Sequence, residues 1–304
     1  MSTLKTKINQ EEVLSFLQKE IDPQIDSVEF LTGGEMSQAF GFKSKNKEYV
    51  IRFFKWDDAF RKDKFAHDNY SSDKLPIPKV YEIDKYSNEL FYCISSRAKG
   101  IVLDLLSPGL QIKMMDEEIK LMHAIHKTKV VGSGYGWWDE NGNGMHGSWR
   151  DYVLYKKDEV YSNWEALYKN SFLKKEIIEK IYLRISQLTT FLPEDRYLVH
   201  ADLGWSNEIS DNTNITGVLD WGNSVYGDFL YDISFKHYWS SDSNFLEKYL
   251  HSVDRNYFNL DNADERIRCY MLHIGLGVLG FFALSNQKEK YDKAQKRVEG
   301  LLSI

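Results

Sequence analysis

A chain of 304 residues with 42% hydrophobic side chains holds enough apolar material for one large or two modest cores, which excludes a disordered protein. Its formal net charge is −6, from 45 acids against 39 bases with no basic block, and this excludes a groove built on phosphate neutralisation, so no nucleic-acid partner is expected. Cys93 and Cys269, without CxxC spacing, exclude a disulfide framework and a thiolate zinc site, and the opening MSTLKTKINQEEV lacks the apolar stretch of a signal peptide, so a cytoplasmic, non-membrane monomer is expected.

Val13, Leu14, Leu17 and Ile21 recur at helical spacing and predict a helix over 11–21. Short β-like runs follow at 27–31, 39–44, 49–55, 79–83 and 90–95, with Phe40 and Phe42 facing Val50 and Phe53 around the turn KNKE as in a hairpin. One helix, 58–72, interrupts them before LPIP. Beyond Gly100 the texture turns helical, most clearly at 114–126 and at 176–192, where Ile177, Ile181, Ile185, Leu188 and Leu192 form one stripe. A β island at 197–200 and 208–221 breaks the helices, and 269–284, uncharged but for His273, reads as a buried helix too short to cross a membrane. The boundary falls near 96–101. The expectation is an α+β, bilobal chain with a small β-rich lobe, 1–96, and a larger, mainly helical lobe, 97–304. Residues 200–304 hold 15 acids against 10 bases, so −5 of the charge sits there.

The stretch LVHADLGWSNEISDNTNITGVLDWG places His200, Asp202 and Asn207 in the order H-x-D-x-x-x-x-N, the spacing of a kinase catalytic loop. A strand leads into it and a hairpin carries the chain on to Asp220, so both ends face one cleft. Phosphoryl transfer needs a carboxylate at the attacking hydroxyl, for which Asp202 is the candidate, and hard oxygen ligands for magnesium, for which Asn207 and Asp220 are. A capped turn is the bland alternative for Asp202 and Asn207, and His200 is read as packing behind the loop. In the β-rich part, Gly33 and Gly34 turn between two strands, Gly34 and Ser37 can offer amides or a hydroxyl to phosphates, and Arg52 in EYVIRFF stands at the position of a kinase β3 lysine. Asp63 is its nearest acidic partner on the next helix and Asp68 the second; a solvated surface pair is the alternative for either.

GGEMSQAFGF, EYVIRF, SDKLPIPKV, LFYCISSRAKG, WRDY, LVHADLGWSN, VLDWGNSVYGD and CYMLHIGL together resemble the aminoglycoside phosphotransferase family, and its hygromycin-type branch over nearly the whole length. The resemblance implies a bilobal protein-kinase-like fold, ATP with magnesium (GTP is an open alternative), and phosphorylation of an antibiotic hydroxyl that confers resistance. It makes Asp202 the catalytic aspartate, Asn207 and Asp220 the metal ligands, and the stretch from Cys93 through Ser95 and Ser96 to Arg97 the hinge that reads adenine with main-chain groups. Arg52 matches the arginine of that branch. His273 and Gly277 depart from it, since the branch has an arginine and an aspartate there.

Acceptor candidates are Asp228, Asp232, Trp239 and His273, because polycationic aminocyclitols are held by carboxylates and ring stacking. For Asp228 the favoured reading is a structural carboxylate that fixes the metal loop by accepting backbone N–H bonds, and Trp239 is equally readable as a core aromatic. Asp254, Asp261, Asp264 and Glu265 add an acidic band. The same chemistry on a macrolide, choline, homoserine or sugar hydroxyl is the alternative function, and a nucleotide-binding regulator without transfer activity a third.

Overall fold

The computed structural model describes residues 7–32, 37–155, 164–240 and 243–303. Helix α1 (Gln10–Glu20) starts on a capping box, in which the Asn9 side chain accepts the Glu12 amide at 2.8 Å and Glu12 reaches back to the Asn9 amide. Such a cap stabilises a helix start by about 1 kcal/mol. Strands β1 (Val28–Leu31), β2 (Gln38–Ser44), β3 (Lys47–Phe54), β4 (Val80–Lys85) and β5 (Phe91–Ser96) form one antiparallel sheet in the order β1-β2-β3-β5-β4. Side chains alternate across a strand. Phe40, Phe42, Ile51, Phe53, Tyr92 and Ile94 therefore share the face that Val13 and Leu17 of α1 cover. Ala39, Gly41, Val50, Arg52, Cys93 and Ser95 take the opposite face, where α2 (Asp58–Tyr70) packs Phe60 against Val80 and Cys93.

After the sheet the chain turns into β6 (Ile101–Val102), α3 (Pro108–Lys127), β7 (Tyr135–Trp138), β8 (Gly144–His146), α4 (Trp149–Leu154), α5 (Trp164–Asn170) and α6 (Lys175–Leu188). It continues as β9 (Tyr197–Val199), β10 (Glu208–Ser210), β11 (Ile215–Val218), β12 (Val225–Gly227), α7 (Leu230–Trp239), α8 (Ser243–Ser252), α9 (Ala263–Leu284) and α10 (Lys288–Leu302). Two small sheets, β11-β10-β6 and β8-β7-β12-β9, surround the loop after β9. The architecture is the expected α+β, kinase-like one, with a β-sheet N-terminal region and a helical C-terminal part.

Some expected elements differ in extent. The helix expected over 176–192 ends at Leu188 and closes in a single 3-10 turn, Thr189–Phe191, whose cap amide at Leu192 bonds the Thr189 carbonyl. Helix α9 is longer than its uncharged run. By length and composition it could cross a membrane, yet 78% of its apolar window is buried inside the molecule among α6, α7 and α10, which makes it the core helix.

Candidate active site

Strand β9 delivers the chain to His200 and Ala201, and Ala201 adopts φ +61°, a left-handed conformation that a non-glycine residue holds only at a cost of about 1–3 kcal/mol. Asp232 of α7 offsets that cost. Its carboxylate accepts the His200 amide at 3.0 Å and the Ala201 amide at 2.7 Å, and also meets His126 Nε2 of α3 at 3.0 Å; Nδ1 of His126 in turn meets the Tyr249 hydroxyl at 2.9 Å. His200 packs its ring on Trp221 and bonds the Leu219 carbonyl through Nε2 at 2.9 Å, tying the loop to the start of the next.

Asn207 closes the loop by donating its side-chain NH2 to the Asp202 carbonyl at 2.9 Å, which leaves its amide oxygen as an available ligand atom. Its own carbonyl accepts the Leu219 amide at 2.8 Å, so β10 and β11 carry the chain from Asn207 back to Asp220. Asp220 also sits in left-handed backbone, at φ +62°. Burial and the neighbouring Asp220 push the Asp202 carboxyl up to about 7, against hydrogen bonds from Asn223 and Asn207. Burial and Asp63 push Asp220 up as well, against Arg52 and His200. Asp63, Asp202 and Asp220 thus share a region in which Arg52 opposes the rise of Asp220.

Arg52 projects from β3 and pairs with Asp63 of α2, with its guanidinium 5.0 Å from the Phe60 ring centre. Burial alone would lower its pKa; Asp63, together with Cys93 and Asp220, outweighs that and raises it. The other Asp63 oxygen accepts the Trp221 amide at 2.8 Å, so one carboxylate joins the β3 cation to the loop that carries Asp220. Asp68 instead pairs with Lys64 on the surface. Ser37 lies half-buried at the entrance to β2, while Gly34 falls outside the described residues. At the hinge, Ser95 is buried between β3 and β4, the Ser96 amide donates to Lys79 O at 2.8 Å, and the Arg97 amide to Glu48 O at 3.2 Å. This corrects part of the hinge expectation, because neither N–H is left for a base. The Arg97 side chain lies across Gly41, where a Cβ would come within 2.7 Å of it, and reaches Glu29 at 2.8 Å.

Three acceptor candidates are corrected by burial. Asp228 is 0% exposed and takes two bonds from the Arg266 guanidinium, at 2.8 and 2.7 Å, and one from the Tyr270 hydroxyl at 2.5 Å. Asp232 is equally enclosed and engaged as described above. His273 is 1% exposed, bonded through Nδ1 to the Tyr231 hydroxyl and set between the rings of Tyr231 and Tyr152. Trp239 differs, being 53% exposed. It neighbours Phe235 one turn back on α7, and Phe235 reaches within 3.9 Å of where a Cβ on Gly204 would stand, so an aromatic strip runs from the catalytic loop to Trp239. The acidic band lies elsewhere: α9 begins beside Asp264 and runs about 27 Å, at 1.5 Å per residue, before reaching Phe282 next to Trp239.

Two residues escaped the sequence reading. Asn223 donates to Asp202 Oδ2 at 3.3 Å. Lys62, adjacent to Asp63, is buried with its ammonium on the Gly222 and Ser224 carbonyls, at 2.8 and 3.0 Å, and over the Trp138 ring at 4.5 Å. In FRKDKF it looks like one more solvated helix cation; the only signal is its place beside Asp63.

Residues 27–268 match the model of a family described as the phosphotransferase enzyme family. The chain is 31% identical over 278 residues to the hygromycin-B 4-O-kinase of Escherichia coli, spanning 90% of this chain and 80% of that one. Among solved structures it resembles a thermostable mutant of an aminoglycoside phosphotransferase in ternary complex with AMP-PNP and hygromycin B. The TM-score there is 0.83, with 29% identity and coverage of 96% and 98% of the two chains. A choline kinase from Streptococcus pneumoniae shares the fold, at TM-score 0.67, 17% identity and the same coverage.

Proposed function

The chain belongs to the phosphotransferase enzyme family and is a kinase of small-molecule hydroxyls, and we propose that it transfers the γ-phosphoryl group of ATP to a hydroxyl of a hygromycin B-like aminoglycoside. The observation that carries this reading is the convergence of Asp202, Asn207 and Asp220 beside the Arg52–Asp63 pair. In the resulting division of labour, residues 1–96 serve the nucleotide and 97–304 the chemistry and the acceptor.

Asp202 accepts the hydrogen bond of the acceptor hydroxyl and takes its proton as the oxygen attacks phosphorus. Asn223 holds one carboxylate oxygen, which leaves the other for the hydroxyl. Arg52, kept charged and oriented by Asp63, faces the donor phosphates. The free amide oxygen of Asn207 and the buried carboxylate of Asp220 fit magnesium, since an acid-rich site short of positive charge lowers its own energy by taking a dication. Among the described residues no group of three His, Cys, Asp or Glu side chains is placed to hold a metal, so phosphate and water oxygens would complete the octahedron. Bound there, the metal would neutralise charge on the transferred phosphoryl group. Trp239 and Phe235 offer the sugar rings a stacking wall.

The test is ADP release with hygromycin B, and with macrolides, choline, homoserine and sugars as alternative acceptors. Acceptor-dependent ADP release and a singly phosphorylated hygromycin B by mass spectrometry are expected. Release with an uncharged metabolite alone would replace the aminoglycoside by that acceptor.

A further inference from the structure

Helix α7 carries a buried charge that phosphoryl transfer does not use. Lys236 is 8% exposed and sets its ammonium against Glu118 of α3 and, at 3.2 Å, against Glu208, the first residue of β10; both acids are buried. The Phe245 ring lies 4.8 Å from the ammonium. Trp205, whose ring is partly exposed on the catalytic loop, turns its indole N–H inward to both Glu118 oxygens, at 3.3 and 3.1 Å. Burial pushes Lys236 down to about 7, and burial together with Asp232 pushes Glu208 up to about 8.

Such a triad is a poor route to stability. Removing charges from water costs several kcal/mol per ion, and apolar side chains of the same volume often serve as well or better. What the triad supplies is position. Residues four apart on a helix share a face, and one turn before Lys236 on that face stands Asp232, which grips the His200 and Ala201 amides. The helix therefore holds both ends of the catalytic loop: Asp232 fixes its start, and Lys236 fixes Glu208 directly and Trp205 through Glu118. Asp202 and Asn207 lie between these anchors.

We infer that Lys236, acting through Glu118 and Glu208, is a positioning residue that holds Asn207 where it meets the metal. This rests on the reading of Asn207 as a metal ligand. Outer partners of metal ligands change metal affinity by about 10–100-fold when removed.

The test replaces all three charges at once, Glu118→Leu/Glu208→Leu/Lys236→Met, so that no buried ion is stranded. The expected protein unfolds near the parent's midpoint and binds AMP-PNP without metal as the parent does, but needs about 10–100-fold more Mg2+ to reach full nucleotide affinity. With 5-fluorotryptophan incorporated, the Trp205 fluorine resonance of the metal-free variant should broaden. A triple variant with the parent's Mg2+ requirement overturns the inference. Trp205→Phe, which keeps the ring and loses only the N–H, gives the same reading should the triple variant not fold: a raised Mg2+ requirement supports the strut and an unchanged one overturns it. A parent protein whose AMP-PNP affinity ignores Mg2+ brings down the metal-site reading and this inference together, whereas a Mg2+-dependent parent with an indifferent variant brings down only the role of Lys236.

Discussion

Asn223 holds Asp202 by a single 3.3 Å contact from its side-chain amide. Asn223→Ala should lower kcat about tenfold with nucleotide affinity unchanged, because the Asp202 carboxylate proposed to act on the hydroxyl keeps its charge but loses its orientation. Asn223→Asp should cost more, since it sets a second carboxylate against one already pushed up to about 7 by burial and Asp220. Steady-state kinetics beside nucleotide titration checks both. Asp202→Asn itself should lose about 10²–10⁴ in kcat, the usual worth of a positioned base. The motif around Asp202 was legible because its residues lie within eight positions of each other. Asn223 was not, since 21 residues separate it from Asp202 and only the return of β11 brings them together. The structural reading favoured for Asp228 expected backbone N–H partners, and its side-chain partners Arg266 and Tyr270 were hidden for the same reason, standing 38 and 42 residues away.

At the scale of elements, α7 and α9 pack against each other, and Asp228, just before α7, pairs with Arg266 of α9. Asp228→Asn should destabilise the fold by about 3–5 kcal/mol, because the Arg266 guanidinium is left buried without its anion. The folded fraction should keep its acceptor KM, which separates this structural role from substrate binding; denaturant unfolding and kinetics on the same sample check it. Helix α3 provides a pH-dependent counterpart. His123 stacks on Tyr249, bonds Ser252 through Nε2 and buries an Nδ1 that has no hydrogen-bond partner among the described residues. Burial, then His126 and Lys127, lowers it to about 4. The unfolded chain protonates this histidine near 6.5 and the folded one near 4, so the unfolded state binds more protons in between. Stability should be complete above pH 6.5 and fall toward pH 4, and His123→Phe should flatten that fall in thermal melts across the range. The helices with strong periodic stripes were legible, α6 above all; α4 and α5 were not, since six or seven residues are too few to show a period.

At the scale of the whole molecule, α2 clamps the β-sheet region to the loop that follows Asp220. Asp63 takes Arg52 on one oxygen and the Trp221 amide on the other, while Lys62 takes the Gly222 and Ser224 carbonyls. The change from β-like runs to helical stripes near residue 100 made the two-part architecture legible. The clamp stayed hidden because its bonds cross 158 to 162 residues. In Asp63→Asn the new amide oxygen can still accept the Trp221 N–H, so the loop contact survives and only the charge is lost. Arg52 already lies in the field of Asp220, and without Asp63 it should turn toward that carboxylate and compete with the cation there. The expected result is a fall of about 10–100-fold in Mg2+-dependent nucleotide affinity. The stability loss should be about 2 kcal/mol, below that of a fully enclosed pair, because Arg52 keeps some contact with water. Arg52→Lys retains a cation but cannot both meet Asp63 and cover Phe60, so partial activity with a raised nucleotide KM is expected. The double variant Arg52→Met/Asp63→Asn strands no charge and should recover the thermal midpoint without recovering nucleotide affinity. If Asp63→Asn binds nucleotide and Mg2+ as the parent does, Asp63 is a structural link between the lobes and Arg52 needs no partner to face the phosphates.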